Sequence, residues 1–213
     1  MTTLGRLIAF EGGEGAGKST QAQRLAAVLG AELTREPGGS VLGERIRRFL
    51  LDPATEAAGA GRIDARTEVM LALAARAQHV SERIRPALEA GSNVVVDRFS
   101  ASTLAYQGYG RRLPVEEIRR ACDLATGGLW PDLTFLLQVP VEVGAARRAE
   151  ASPQPDRFES ERGGFHARVA EGFLALAAQE PDSWCVIDGT RAADEVGELV
   201  LDTVGRVLGL RRQ

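Results

Sequence analysis

The segment that most constrains this chain is Gly12 to Ser19, "GGEGAGKS", set between an apolar run, "RLIAFE" (6–11), and a helical pattern, "STQAQRLAAVL" (19–29). Its form is G-x-x-x-x-G-K-S. Its place after a strand and at the opening of a helix separates a phosphate-binding loop from a chance match. The glycines let successive backbone N–H groups curl around phosphate oxygens that side chains would otherwise block. The helix that follows adds the partial positive charge of its N-terminus.

Lys18 is the single lysine among 26 Lys plus Arg residues. A chain that uses arginine everywhere else keeps lysine where a compact ammonium must sit between phosphate oxygens. Arginine's wide planar fork suits exposed phosphates and not that slot. The loop expected to bind the triphosphate comprises Glu11, Gly12, Gly13, Glu14, Gly15, Ala16, Gly17, Lys18, Ser19 and Thr20. Ser19 supplies a hydroxyl for Mg²⁺. Asp97 closes the apolar run "NVVVDR" (93–98), the place for an acid that helps hold the ion or its water shell.

Further apolar runs are "AELTRE" (31–36), "DLTFLLQV" (132–139) and "WCVID" (184–188). The runs at 6–11, 93–98 and 184–188 are continuous rather than alternating, as parallel strands buried on both faces require. Helical patterns lie between the runs, at 18–29, 41–51, 64–89, 115–126, 141–149, 164–179 and 192–208. Strand and helix in alternation predict an α/β fold, a single domain over 1–213 with a five-stranded parallel sheet flanked by helices. Two segments read as surface loops, "DPATEAAGAGRID" (52–64) and the polar "EASPQPDRFESERGG" (150–164), the second a candidate lid over about 147–163.

Net charge of −3 and a pI near 5.6 argue against a nucleic-acid binder held by bulk positive charge. Two widely separated cysteines make neither a disulfide framework nor a zinc site. No signal peptide and no apolar run of the ~20 residues a membrane span needs are visible. The expectation is a cytoplasmic protein with no membrane partner. A GTPase needs an N-K-x-D motif, which a chain whose one lysine is Lys18 cannot contain. No L-S-G-G-Q signature of transport ATPases is present. A small kinase remains, with a non-catalytic nucleotide-binding regulator as the reading from another class.

"FEGGEGAGKST" (10–20), "TREPGG" (34–39), "TEVMLALAARAQHV" (67–80), "VVDRFSASTLAYQG" (95–108) and "DRFE" (156–159) follow one another in an order that resembles the thymidylate kinase family. The resemblance spans about 6–190, nearly the whole chain. It implies the fold of P-loop nucleoside monophosphate kinases, ATP and dTMP as substrates, Mg²⁺ carried with ATP, and a homodimer packed through helices near 64–90. It is similar to the bacterial type, with glutamate inside the loop and arginines in the lid. A kinase for another nucleoside monophosphate would share the phosphate-gripping parts.

The resemblance also implies roles. Arg35 and Arg98 would grip the acceptor phosphate, with Pro37 in a rigid turn beside Arg35; paired planar forks match phosphate oxygens. Phe99 would lie under the deoxyribose. Arg76, Ser102, Thr103 and Gln107 would read the thymine edge, an amide being able to donate and accept. Glu14 would lie near the sugar and the reacting phosphate. Lys18, Glu14, Arg98, Arg148 and Arg157 form the expected catalytic set, with Arg147 as a third arginine on the lid side. Related chains carry phenylalanine where this one has Ala72, so stacking must come from elsewhere or be weaker, with Met70 and Leu73 as candidates to fill the space.

Overall fold

The computed structural model describes residues 4–57, 61–151, 154–161 and 164–210. Five parallel strands form one sheet: β1 (Leu7–Glu11), β2 (Glu32–Arg35), β3 (Val94–Asp97), β4 (Leu133–Gln138) and β5 (Trp184–Asp188), in the order β2-β3-β1-β4-β5. The fold class and all five strands are as the sequence predicts.

The continuous apolar runs have their reason in the layers. Ile8, Phe10 and Val95 point to one face, where they pack with α1 (Lys18–Leu29) and α10 (Ala193–Leu208). Leu7, Ala9, Val94 and Val96 point to the other, against Val80, Ile84, Leu88 and Phe99. Burying five consecutive side chains of β1 contributes roughly 1.5–3 kcal/mol for each large one. That anchors the strand on which the loop is mounted.

Between β2 and β3 lie α2 (Val41–Leu51), the short α3 (Ala54–Ala57), α4 (Ala65–His79), a π turn (Val80–Ile84) and α5 (Arg85–Glu89). The expected single helix over 64–89 is thus widened in its middle. Pro86 has no N–H for the carbonyl four residues back and its ring would crowd that turn. The π turn, closed by the Arg85 N–H on the Val80 carbonyl, takes up the misfit.

After β3 the chain forms α6 (Ser100–Thr103), continued by a π-helical stretch (Leu104–Gly110), then α7 (Val115–Thr126). The 100–110 helix is absent from the helical patterns of the sequence because "SASTLAYQGYG" is poor in helix formers. Its cap comes from far away. The Glu11 carboxylate, at the end of β1, accepts from the Phe99 N–H (2.8 Å), the Ser102 N–H (3.2 Å) and the Ser102 hydroxyl (2.6 Å). α8 (Val141–Ala151) and α9 (Phe165–Gln179) complete the chain order. The candidate lid is ordered over 154–161, with a turn at 157–160; residues 152–153 and 162–163 lie outside the described residues, as do 58–60 of the other expected loop. Among the described residues no helix is long and apolar enough to cross a membrane.

The loop touches α8 through two glycines. A Cβ on Gly15 would stand 2.2 Å from the Gly144 carbonyl oxygen, and one on Gly144 would stand 2.3 Å from the Glu14 carbonyl oxygen. In an open helix, Gly→Ala gains about 1 kcal/mol in propensity. At Gly144 the obstacle is backbone and cannot rotate away, so the clash wins. Gly144→Ala is expected to lower stability by roughly 1–3 kcal/mol, read as a fall of several degrees in Tm by circular dichroism. An unchanged or raised Tm would mean that α8 does not rest on the loop.

Candidate active site

Strand register sets the site. Phe10 pairs with Asp97, and Arg35 pairs with Asp97 on its other side, so three parallel strands end level with one another. β1 sits where the strand order reverses, the position at which open α/β sheets bind ligands beyond the carboxyl ends of their strands.

On the β1 side, Gly12, Gly15 and Gly17 take positive φ (141°, 66° and 90°), which bends the loop into its cradle. Lys18 is buried and its Nζ donates to the Gly13 carbonyl at 2.6 Å. Burial, then the neighbouring Arg98, lowers its pKa to about 8 against the opposing pull of Glu14, Asp97 and Glu11. The Ser19 hydroxyl donates to the Asp97 carboxylate, which brings together the two groups expected to serve the metal. A hydroxyl and a carboxylate oxygen beside a phosphate cradle suit Mg²⁺, which takes few protein oxygens and completes its shell with water and phosphate.

Glu11 is placed otherwise than its neighbours in the loop. Its carboxylate is fully buried and turned to α6, not to the cradle. Burial raises its pKa to about 7 in spite of the Ser102 and Phe99 hydrogen bonds and the Arg98 charge.

Arg98 stands between the loop and the acceptor side. It is a non-glycine residue in the left-handed region, φ 68°. Its guanidinium donates to the Gly12 carbonyl (2.9 Å), the Ser102 hydroxyl (3.2 Å) and the Glu14 carboxylate (2.7 Å). The same Glu14 oxygen accepts from the Tyr106 hydroxyl at 2.6 Å, and Arg98 lies over the Tyr106 ring, 5.1 Å from its centroid. Burial would raise the Glu14 pKa, but Arg98, Lys18 and the Tyr106 hydroxyl outweigh it and hold the carboxyl down to about 2.

Next to this junction a cavity of about 120 Å³ is lined by Pro37, Arg47, Ala72, Arg76, Phe99, Ser102, Thr103, Gln107 and Phe158 among others. Nearly all the residues expected to bind the acceptor thus meet in one place. Arg35 is not part of that lining; it is half exposed, close to Arg47, and donates to Glu44 at 3.3 Å. Arg47 on α2, which no motif in the sequence marks, donates to the Pro37 carbonyl at 2.9 Å. Burial, Arg35 and Arg98 together pull its pKa down, the mark of three guanidinium groups converging without enough negative charge between them.

At the other end, Arg76 is held by the Glu36 carboxylate (2.7 Å), the Thr103 hydroxyl (3.0 Å) and the Phe99 carbonyl (3.0 Å). Glu36 is itself fixed by His79 at 3.0 Å. Phe99 is buried beneath the Arg76 guanidinium, 5.4 Å from centroid to charge. Ala72 lines the cavity as expected, but Met70 faces solvent and Leu73 belongs to the core. The aromatic surface comes instead from Phe158 and Tyr106, which meet edge to face at 5.7 Å.

The lid-side arginines part company. Arg148 lines a larger cavity of about 880 Å³ together with Gly13, Glu14 and Asp188, and pairs with Glu159. Arg147 donates to the Gly189 carbonyl at 2.8 Å. Arg157, expected to reach over the transferring group, is buried on the acceptor side instead. Its guanidinium donates to Glu68 (2.6 Å) and the Leu50 carbonyl (2.8 Å) and stacks on Phe158 (4.4 Å). A buried carboxylate on α4 outcompetes the loop for this charge, and nothing in the spacing of "DRFE" could disclose that.

A family model described as thymidylate kinase matches residues 10–200 of this chain. Thymidylate kinase of Desulfovibrio desulfuricans is 50% identical over 200 residues, covering 89% of this chain and 90% of that protein. That of Thermomicrobium roseum is 50% identical over 206 residues, covering 94% and 95%. Among solved structures, thymidylate kinase from Ehrlichia chaffeensis superposes with a TM-score of 0.72 at 30% identity, covering 94% of this chain and 98% of that one.

The lowered pKa of Lys18 has a thermodynamic consequence. With a pKa of about 8, half of the free protein's Lys18 is neutral at pH 8. Phosphate oxygens around Nζ restore its charge, so binding a nucleoside triphosphate should draw in roughly half a proton at pH 8 and nearly one at pH 9. Calorimetry in buffers of different ionisation enthalpy reads this number. No uptake at either pH would contradict a buried, partly neutral lysine.

Proposed function

This chain belongs to the thymidylate kinase family, and on that premise we infer that it transfers the γ-phosphoryl group of ATP to the 5′-phosphate of dTMP, giving dTDP. The observation that carries the reading is the cavity beside the phosphate loop. Arg47 and Arg98 line its loop end, with Arg35 close to Arg47, and Arg76 and Gln107 line the other. A nucleoside monophosphate has the same polarity, a dianion at one end and a base edge at the other.

The chemistry follows from placement. Backbone N–H groups of Gly13 to Lys18 and the Lys18 ammonium hold the donor phosphates. Mg²⁺, when bound, neutralises the charge of the triphosphate, and Ser19 and Asp97 are the residues that would hold it. Arg35, Arg47 and Arg98 take the acceptor dianion by bidentate contacts. Arg98 also reaches Gly12 and Glu14, so the acceptor phosphate arrives against the loop that holds the donor. Phosphoryl transfer needs little covalent help from a protein, and positioning with fixed cations supplies most of the catalysis. Arg148, which shares a cavity with Gly13 and Glu14, is the lid arginine we assign to the transferring group. Arg157 supports the base end. The chain acts as one kinase domain whose lid closes over the site and excludes water.

Arg76 offers donors to a carbonyl oxygen, while Phe99 forms the floor below it. We further propose a homodimer packed through α4, whose Met70 is 63% exposed, and a cytoplasmic location.

ADP release measured with dTMP, dUMP, UMP, dCMP and dGMP tests the assignment. The expected order of kcat/KM places dTMP first, dUMP next, and UMP and dCMP at least tenfold below. A higher value for dCMP or dGMP would overturn the acceptor and leave the kinase chemistry standing.

A further inference from the structure

Resting on that acceptor reading, we propose that Glu68 is a specificity-positioning residue: it fixes which end of the Gln107 amide meets the base. Glu68 lies on α4 with 1% of its surface exposed, in the lining of the acceptor cavity beside Gln107. Its Oε2 accepts from Gln107 Nε2 at 3.2 Å and from Arg111 Nε at 3.1 Å. Its Oε1 accepts from Arg111 at 2.8 Å and from Arg157 at 2.6 Å. Two guanidinium groups thereby hold the carboxylate in one orientation. Arg111 is itself held between Glu68 and Glu161 (2.6 Å) and stacks on Phe165 (4.7 Å).

A carboxylate has only acceptor oxygens. The end of the Gln107 amide that faces it must therefore be the NH₂. A reversed amide would set carbonyl oxygen against carboxylate oxygen in a buried site, where an unpaired polar group is most costly. Gln107 is 4% exposed and lines the cavity, and its Oε1 has no hydrogen-bond partner among the described residues. The face left for a ligand is an acceptor.

Arg76 presents the complementary element. Glu36, Thr103 and the Phe99 carbonyl pin it in the wall of the same cavity, and a guanidinium can only donate. A donor next to an acceptor matches a pyrimidine whose C4 carries oxygen and whose N3 carries hydrogen. It opposes cytosine, whose C4 amine donates and whose N3 accepts. Glu68 thus selects thymine through the Gln107 amide that it orients. Because Arg157 belongs to the segment 154–161 and bonds the same carboxylate, the base reader and that segment are joined through one group.

The test is Glu68→Gln, which keeps size and removes the obligate acceptor, so that the Gln107 amide can turn over. The readout is the ratio of kcat/KM for dTMP to that for dCMP, with dUMP as a control that shares thymine's edge. The ratio is expected to fall at least tenfold, with dUMP following dTMP. Equal losses for all three acceptors would make Glu68 merely structural and overturn the proposal. A wild-type enzyme that does not prefer dTMP to dCMP would instead refute the acceptor reading itself. Should the variant not fold, the side-chain amide resonance of Gln107 in the wild type, assigned by its absence in Gln107→Met, decides. One Nε2 proton must be protected from solvent exchange both before and after dTMP binds. Exchange of both protons at the rate of an exposed amide would overturn the proposal.

Discussion

The Arg98 guanidinium is the contact on which the site depends. It lies between the Gly12 carbonyl, the Glu14 carboxylate and the Ser102 hydroxyl. It can do so because β3 runs in register beside β1 and because its own backbone takes the left-handed conformation. That conformation costs a non-glycine residue on the order of 1–2 kcal/mol. The β1–β3 ladder and the buried Phe99 that follows hold it in place, and the result is a cation that bonds the phosphate loop and lines the cavity beside it.

Around this junction three buried glutamates set the positions of groups that line the cavity. Glu11 ends β1 and caps the 100–110 helix; Glu36 follows β2 and holds Arg76; Glu68 stands on α4 and holds Gln107. Buried ion pairs are weak evidence of stability, since desolvation offsets most of the attraction. Removing one partner nonetheless costs about 3–5 kcal/mol, because a buried charge is left alone. Such pairs therefore hold geometry firmly while adding little net stability. Each of these three carboxylates links an element of the sheet or helix layer to a group at the cavity wall.

Much of this was legible in the sequence, and the reason is locality. The loop, its lysine and the flanking strand and helix form one contiguous unit, so Gly12–Ser19 could be read with its function. The parallel strands declared themselves by continuous apolar runs that only two-sided burial explains. The grouping of Arg35, Arg76, Arg98 and Gln107 followed from family resemblance; Arg76, Arg98 and Gln107 line one cavity, and Arg35 lies outside its lining. The 100–110 helix was not legible because its cap, Glu11, lies some 90 positions away. Arg47 looked like any arginine on a polar helix face, and only the proximity of Arg35 and Arg98 distinguishes it. The burial of Arg157 was hidden for the same reason, since its partner Glu68 stands on α4, 89 positions away. Long-range pairing of charges is what neither period nor spacing encodes.

The central claim is that one guanidinium serves both substrates. A double-mutant cycle on Glu14→Gln and Arg98→Met, read as kcat/KM for dTMP at saturating ATP, tests it most directly. If Arg98 is shared, the two losses are strongly coupled, with an interaction energy above about 1 kcal/mol. Additive losses within ~0.3–0.5 kcal/mol would mean that the two residues act independently and that the donor and acceptor sites are not joined through Arg98.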